Sequence, residues 1–128
     1  MKLLLDTHLL LWAASEPQKL PHQCRILLEE ATSEPIFSVA SIWEIAVKNG
    51  LKRDDFRVDT AVFRRCLLEN GYSELPISGR HAAAVEALPP LHKDPFDRML
   101  VAQAIVEGVE LLTADRIVAL YPGPIRKC

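Results

Sequence analysis

The chain lacks any apolar run near the ~18 residues that a membrane-spanning helix requires, which predicts a protein outside the bilayer. It has little cysteine: Cys24, Cys66 and Cys128 are odd in number and far apart among 128 residues. No CxxC or Cys/His spacing occurs, so a zinc site is not indicated and the three read as reduced, mostly buried thiols of a cytosolic protein. Charge of one sign is also scarce. A net charge of -2 gives no global attraction to nucleic acid, so any such binding must rest on a local basic patch. Internal repeats, low-complexity stretches and linkers are missing too, which predicts one domain over 1–128. The N-terminal MKLLLDTHLLLWAAS is broken by Asp6 and His8 and reads as a first strand rather than a secretion signal.

What remains is an ordinary globular mixture, 49% hydrophobic and 25% charged, enough for one core without staples. Leu3, Leu4 and Leu5 form an unbroken apolar run, as in a strand covered on both faces. A helix is predicted over Thr7–Ala14, a second over 22–31 and a short strand over Pro35–Ser38. Residues 41–49 read as a helix closed by Gly50 in the C′ position. Asp59 caps a helix ending at Gly71, Glu74–Ile77 suits an edge strand because of its proline, and Ser78–Glu86 is helical. The clearest helix start is Asp94-Pro95, with Gly108 closing that element. Met99, Leu100, Val101, Ala102, Ile105 and Val106 wrap most of its circumference, so it should be largely buried. Val109–Thr113 is a strand, and Ala114-Asp115 turns into a short helix. Strands alternating with helices predict an α/β domain with a mainly parallel sheet.

Parallel sheets gather functional groups outside the carboxyl ends of their strands. Asp6 follows the first strand, Asp115 follows the strand ending at Thr113, and Glu44 and Asp97 are placed in the first turns of their helices. Four acids on one rim repel each other unless a cation neutralises them. Oxygen ligands without His/Cys spacing favour Mg²⁺ or Mn²⁺ over zinc. Such an ion can bind a phosphate oxygen and activate a water. Each acid also has a plain structural reading. Ser41-x-x-Glu44 matches a capping box, Asp97 suits the helix dipole, and Asp115 suits a cap. Asp6 has no helix-stop role in this reading. Asp94 caps its helix and reaches at most the outer surroundings of a metal.

Leu4-Leu5-Asp6-Thr7, Ser41-Ile42-Trp43-Glu44-Ile45-Ala46-Val47-Lys48, His92-Lys93-Asp94-Pro95-Phe96-Asp97-Arg98 and Leu111-Leu112-Thr113-Ala114-Asp115 together resemble the PIN-domain toxins, the VapC-type ribonucleases of toxin–antitoxin pairs. The resemblance follows nearly the whole chain in order. It implies a single PIN-like domain acting as a Mg²⁺- or Mn²⁺-dependent endoribonuclease in the cytoplasm. It also implies a homodimer inhibited by a small cognate antitoxin. The family's metal-binding acids map onto Asp6, Glu44 and Asp97, its more variable fourth acid onto Asp115, and a hydroxyl position near the site onto Thr113. The alternative is a PIN-fold binding module without catalysis, held by an antitoxin-like partner. An aspartyl-phosphate phosphatase is disfavoured, because Asp6 is followed by Thr7 and His8 rather than by a second aspartate two residues on.

Lys48, Lys52, Arg53, Arg98 and Arg116 are candidate phosphate contacts, although Lys52 and Arg53 also suit a solvated surface. Arg98 is alternatively a partner for a carboxylate or for an antitoxin residue. His92 reads as an orienting or capping group. Trp12, Trp43 and the stripe Val62, Phe63, Cys66 and Leu67 are open between core and partner surface.

Overall fold

The leucine run at the N-terminus sits at the centre of the molecule. In the computed structural model, which describes residues 1–51 and 58–128, strand β1 (Lys2–Leu5) is the middle of a five-stranded sheet. Its neighbours are β2 (Glu34–Ser38) and β4 (Glu110–Thr113); β3 (Ser73–Leu75) and β5 (Ile125–Lys127) form the edges. The order is β3-β2-β1-β4-β5 and every pairing is parallel. Successive side chains of a strand face opposite ways, so Leu4 enters one core, with Leu100, Val101 and Leu111. Leu3 and Leu5 enter the other, with Leu9, Phe37, Ile45, Phe63 and Leu112. All three leucines are fully buried, which is why the run does not alternate with polar residues.

Helices α1 (Thr7–Ser15), α2 (His22–Glu29), α3 (Val39–Gly50) and α4 (Thr60–Glu69) supply the core on the Leu3/Leu5 face. The Leu4 face is covered mainly by α6 (Pro95–Glu107), to which α5 (Gly79–Ala84) is packed. Local signals explain most of the boundaries. Asp59 accepts from the Val62 amide to start α4, and Ser78 and His81 form a reciprocal capping box at α5. Asp94 accepts from the amides of Phe96 and Asp97, Pro95 occupies the first turn, and Gly108 closes α6 at φ 67°. Leu100 to Ala104 of α6 are buried while Ile105 is exposed, so one side of that helix meets solvent.

Several expectations are corrected. Helix α3 starts at Val39, capped by Ser38, rather than at Ser41. Gly50 lies within its last turn, and right-handed Leu51 follows it, so no left-handed C′ glycine ends this helix. The expected 78–86 helix is α5 followed by a 3₁₀ turn at Val85–Ala87, and the turn after Asp115 is the 3₁₀ segment Val118–Leu120. Strand β5 has no counterpart in the sequence reading. Three residues amid Pro122, Gly123 and Pro124 carry no pattern of their own, and only pairing with β4 makes them a strand.

The cysteine expectation also changes. Cys24 and Cys128 are joined as a disulfide across 104 residues, with Cα atoms 5.5 Å apart. Cys66 alone is a free thiol, half-buried on α4. Spacing along the chain does not report this pair, because it is β5 that carries Cys128 to the side of α2.

Candidate functional site

The chain runs from β1 outward through β2 to β3, then crosses to β4 on the opposite side of β1. Strand order therefore reverses between β1 and β4, the place where parallel sheets open a crevice at their carboxyl ends. Asp6 directly follows β1, and Asp115 follows β4 by two residues.

Asp6 is buried and does two structural tasks. Its Oδ1 accepts the Leu9 amide at 2.9 Å as the N-cap of α1, and its Oδ2 accepts the Thr113 hydroxyl. Asp6 stops no helix, as expected, but it starts one, a capping role the sequence reading did not assign to it. Burial raises its pKa above 3.8, against the opposing pull of the Thr113 hydroxyl, the Leu9 amide, His8 and the Ala114 amide. Thr113 is fully buried and also accepts the Asp115 amide at 2.9 Å, so one hydroxyl ties the ends of two strands together.

Glu44 lies in the second turn of α3. With Ser38 as the cap, Ser41 is inside the helix and the expected Ser41–Glu44 capping box does not form. Its carboxylate is buried and turned toward α1 instead. Oε1 accepts the Thr7 hydroxyl at 2.6 Å, while Oε2 pairs with Lys48 Nζ at 2.7 Å one helical turn away. Thr7 is a functional-site residue that sequence reasoning missed; the only signal was its place immediately after Asp6. Its hydroxyl also meets Ser41 Oγ at 2.9 Å, which fixes α1 against α3 beside the two acids.

Asp97 stands in the first turn of α6, and its amide is held by the Asp94 cap at 3.2 Å. Its pKa is pushed up from 3.8 to about 7, first by burial and then by the negative charges of Asp94, Glu44, Asp6 and Asp115. Carboxylates from four separate elements therefore act on one group. Asp115 divides its two oxygens. Oδ1 accepts the amides of Ile117 and Val118, so the plain capping reading holds for that atom, whereas Oδ2 lies 3.7 Å from His92 Nε2. The same nitrogen is 3.3 Å from Asp97 Oδ2. His92, Asp97 and Asp115 thus present atoms within 4.8 Å of one another, a grouping of metal-ligating residue types.

Arg98 is not part of this rim. Its guanidinium donates to the carbonyls of Pro89 (2.9 Å) and Val85 (3.2 Å) and to the Tyr121 hydroxyl (3.1 Å). The expected contact to phosphate, carboxylate or antitoxin is corrected: a helix residue adjacent to Asp97 points about 100° away from it, here toward the 85–91 connection. Losing this clamp strands several carbonyls. Arg98→Met should therefore lower stability to urea by roughly 2–3 kcal/mol, and a loss below about 0.5 kcal/mol would refute the clamp. Lys48 is committed to Glu44, Arg116 is exposed, and Lys52 and Arg53 lie outside the described residues.

The aromatic residues also sort themselves. Trp12 packs at the margin of the Leu3/Leu5 core, whereas Trp43 is 56% exposed and meets Phe96 edge-on at 4.9 Å. In the α4 stripe Phe63 and Leu67 are core, while Val62 faces solvent. A concavity of ≈ 570 Å³ opens at the amino ends of β1–β3 and contains none of the clustered acids. We take the acidic rim as the site, because there several carboxylates act on one another.

The chain matches the PIN domain family over residues 3–123. It belongs to that family. Among relatives of this PIN domain, Ribonuclease VapC22 of Mycobacterium tuberculosis is 30% identical over 122 residues, covering 94% of this chain and 92% of the relative. Two solved structures share the fold. One is VapBC2 from Rickettsia felis bound to a DNA fragment from its promoter, with TM-score 0.72, 15% identity, and coverage of 99% and 98% of the two chains. The other is a toxin–antitoxin complex from Klebsiella pneumoniae, with TM-score 0.62, 18% identity, and coverage of 97% and 95%.

Proposed function

We propose that this PIN domain is a divalent-metal-dependent endoribonuclease and the toxin of a type II toxin–antitoxin pair. The observation that carries this reading is Asp97, a half-buried carboxylate acted on by four other acids at the switch point of the sheet. Like charges so placed cost free energy that a hard cation would offset, and their donors are all oxygen. Asp6, Glu44 and Asp97 would hold Mg²⁺ or Mn²⁺, with Asp115 completing the set through its Oδ2. When bound, such an ion supplies Lewis-acid charge to a phosphodiester and makes a water acidic enough to attack it.

The chain's own groups prepare that chemistry. Thr113 and Thr7 hold one oxygen each of Asp6 and Glu44, so both carboxylates are oriented before any substrate arrives. Lys48 offsets the charge of Glu44 from a partly exposed position. Asp94 stays a helix cap, and its charge adds to the field on Asp97.

The same reading carries the partners: an RNA substrate, a small antitoxin and a second copy of the chain. Trp43, Val47 and Leu51 form an exposed apolar stripe at i, i+4 and i+8, which supports a protein-covered face on α3. Strand β5 packs on β4, which supports treating residues 1–128 as one unit. No helix among the described residues is long and apolar enough to cross a membrane. We place the action in the cytoplasm.

Cleavage of a mixed RNA pool tests the reading. Activity is expected with Mn²⁺, none with excess EDTA, and a loss on the order of 100-fold in Glu44→Gln. Equal cleavage under all three conditions would sink it. No cleavage of any RNA, with tight binding to the product of a neighbouring gene, would replace it by a non-catalytic module.

A further inference from the structure

The reading above leaves His92 without a task, although its ring is grouped with Asp97 and Asp115 at the acidic rim. Its orientation is determined from both ends. The backbone N–H of His92 donates to the Tyr121 hydroxyl at 2.8 Å, and that hydroxyl lies 3.4 Å from the His92 carbonyl. Tyr121 is itself buried and receives the Arg98 guanidinium at 3.1 Å. On the ring, Nδ1 accepts the Asp94 amide at 3.1 Å. A backbone N–H can only donate, so Nδ1 presents its lone pair there and the neutral ring carries its proton on Nε2. That nitrogen is the one 3.3 Å from Asp97 Oδ2 and 3.7 Å from Asp115 Oδ2.

We propose that His92 is a positioning residue of the acidic site: a locked Nε2–H donor shared by the Oδ2 atoms of Asp97 and Asp115, and not a metal ligand. This rests on the metal-nuclease reading only for its consequence in catalysis. A trio of one histidine and two aspartates would otherwise suit zinc or another borderline cation. With the proton on Nε2 no nitrogen lone pair faces the acids, and the site stays all-oxygen. The donor also offsets the repulsion between two carboxylates that arrive on different elements, α6 and the turn after β4. Both distances are long for a finished hydrogen bond, which leaves the carboxylates free to swing a few tenths of an ångström toward an ion. The 92–94 loop is thereby built into the site. The Asp94 amide sets the tautomer, and the Arg98–Tyr121 clamp sets the height of the ring.

Two substitutions separate the donor from the loop. In His92→Gln the amide nitrogen reaches about as far as Nε2, so the donor is kept and the Asp94 bond is lost. In His92→Asn the amide oxygen can take the Asp94 N–H, but the side chain ends short of the acids. Calorimetric titration with Mn²⁺ alone should show His92→Gln close to the parent protein and His92→Asn 10- to 100-fold weaker, the usual scale for partners that orient ligands. If instead His92→Gln weakens Mn²⁺ binding and His92→Asn does not, the ring matters only for the loop and the proposal fails. Nitrogen-15 spectra of the metal-free protein should show the Nε2–H tautomer, unchanged by saturating Mg²⁺. An Nδ1–H tautomer, or loss of the Nε2 proton on adding Zn²⁺ or Mg²⁺, would overturn it. Should the protein bind Mn²⁺ with this pattern but cut no RNA, the nuclease reading falls while the assignment of His92 stands.

Discussion

Asp97→Asn is expected to reduce RNA cleavage by on the order of 100-fold or more while making the metal-free protein more stable at neutral and alkaline pH. The two effects have one cause. In the unfolded chain Asp97 titrates near 3.8, whereas in the fold burial and the neighbouring carboxylates push it up to about 7. Between those values the native state holds a proton that the unfolded state has released. Stability therefore falls as pH rises across that interval, and above it the whole penalty is present. Asp6, raised chiefly by its burial, acts in the same direction. At about 1.4 kcal/mol per pH unit, the displacement of Asp97 bounds the penalty near 4 kcal/mol, and relaxation around a partly exposed group brings the expected gain to roughly 1–3 kcal/mol. Asparagine keeps the shape and removes the charge. Urea unfolding in EDTA should show the parent losing stability from about pH 4 to about pH 7, with Asp97→Asn falling less steeply because only Asp6 then contributes in that direction. Saturating Mn²⁺ should close the gap by stabilising the parent alone. Identical pH profiles for the two proteins would remove the electrostatic basis of the site.

The second large effect concerns the covalent tie. Joining Cys24 to Cys128 closes a loop of 104 residues, for which chain entropy alone gives about 4–5 kcal/mol and measured disulfides commonly give 2–4. Reduction, or Cys24→Ser in oxidised protein, should lower stability to urea by about 2–4 kcal/mol. The denatured, unreduced protein should titrate one thiol, Cys66, and all three cysteines after reduction. Three thiols before reduction, with unfolding curves that coincide, would show that the bond does not form. The tie has a local meaning as well. The Cys128 amide donates to the Thr113 carbonyl at 2.9 Å, next to the hydroxyl that holds Asp6. Reduction is expected to loosen the outer edge of β4 rather than Thr113, which is fully buried. Activity should accordingly fall less than stability does.

Much of this was legible along the chain, and the residues show why. Asp94, Pro95 and Gly108 specify α6 by capping chemistry that acts within one turn. Leu3 to Leu5 announce a doubly covered strand because every residue of it needs an apolar neighbour. Glu44 was placed on the right helix but in the wrong turn. Ser38 and Ser41 are equally good caps by composition, and it is the end of β2 that decides between them. Arg98 illustrates the opposite failure. Beside Asp97 in sequence, it faces away in space, and only the path of the 85–91 connection reveals the carbonyls it serves.

The four acids, their order and the elements that carry them were determined by the sequence alone, since strand runs, caps and turn residues act over a few positions. The tertiary structure decided what those acids do to one another. The Asp6–Thr113 bond spans 107 residues, Thr7–Glu44 spans 37, and the Cys24–Cys128 tie spans 104. Contacts of that range leave no periodicity behind them. They follow from which strands pair, and pairing is settled by burying both faces of β1 at once.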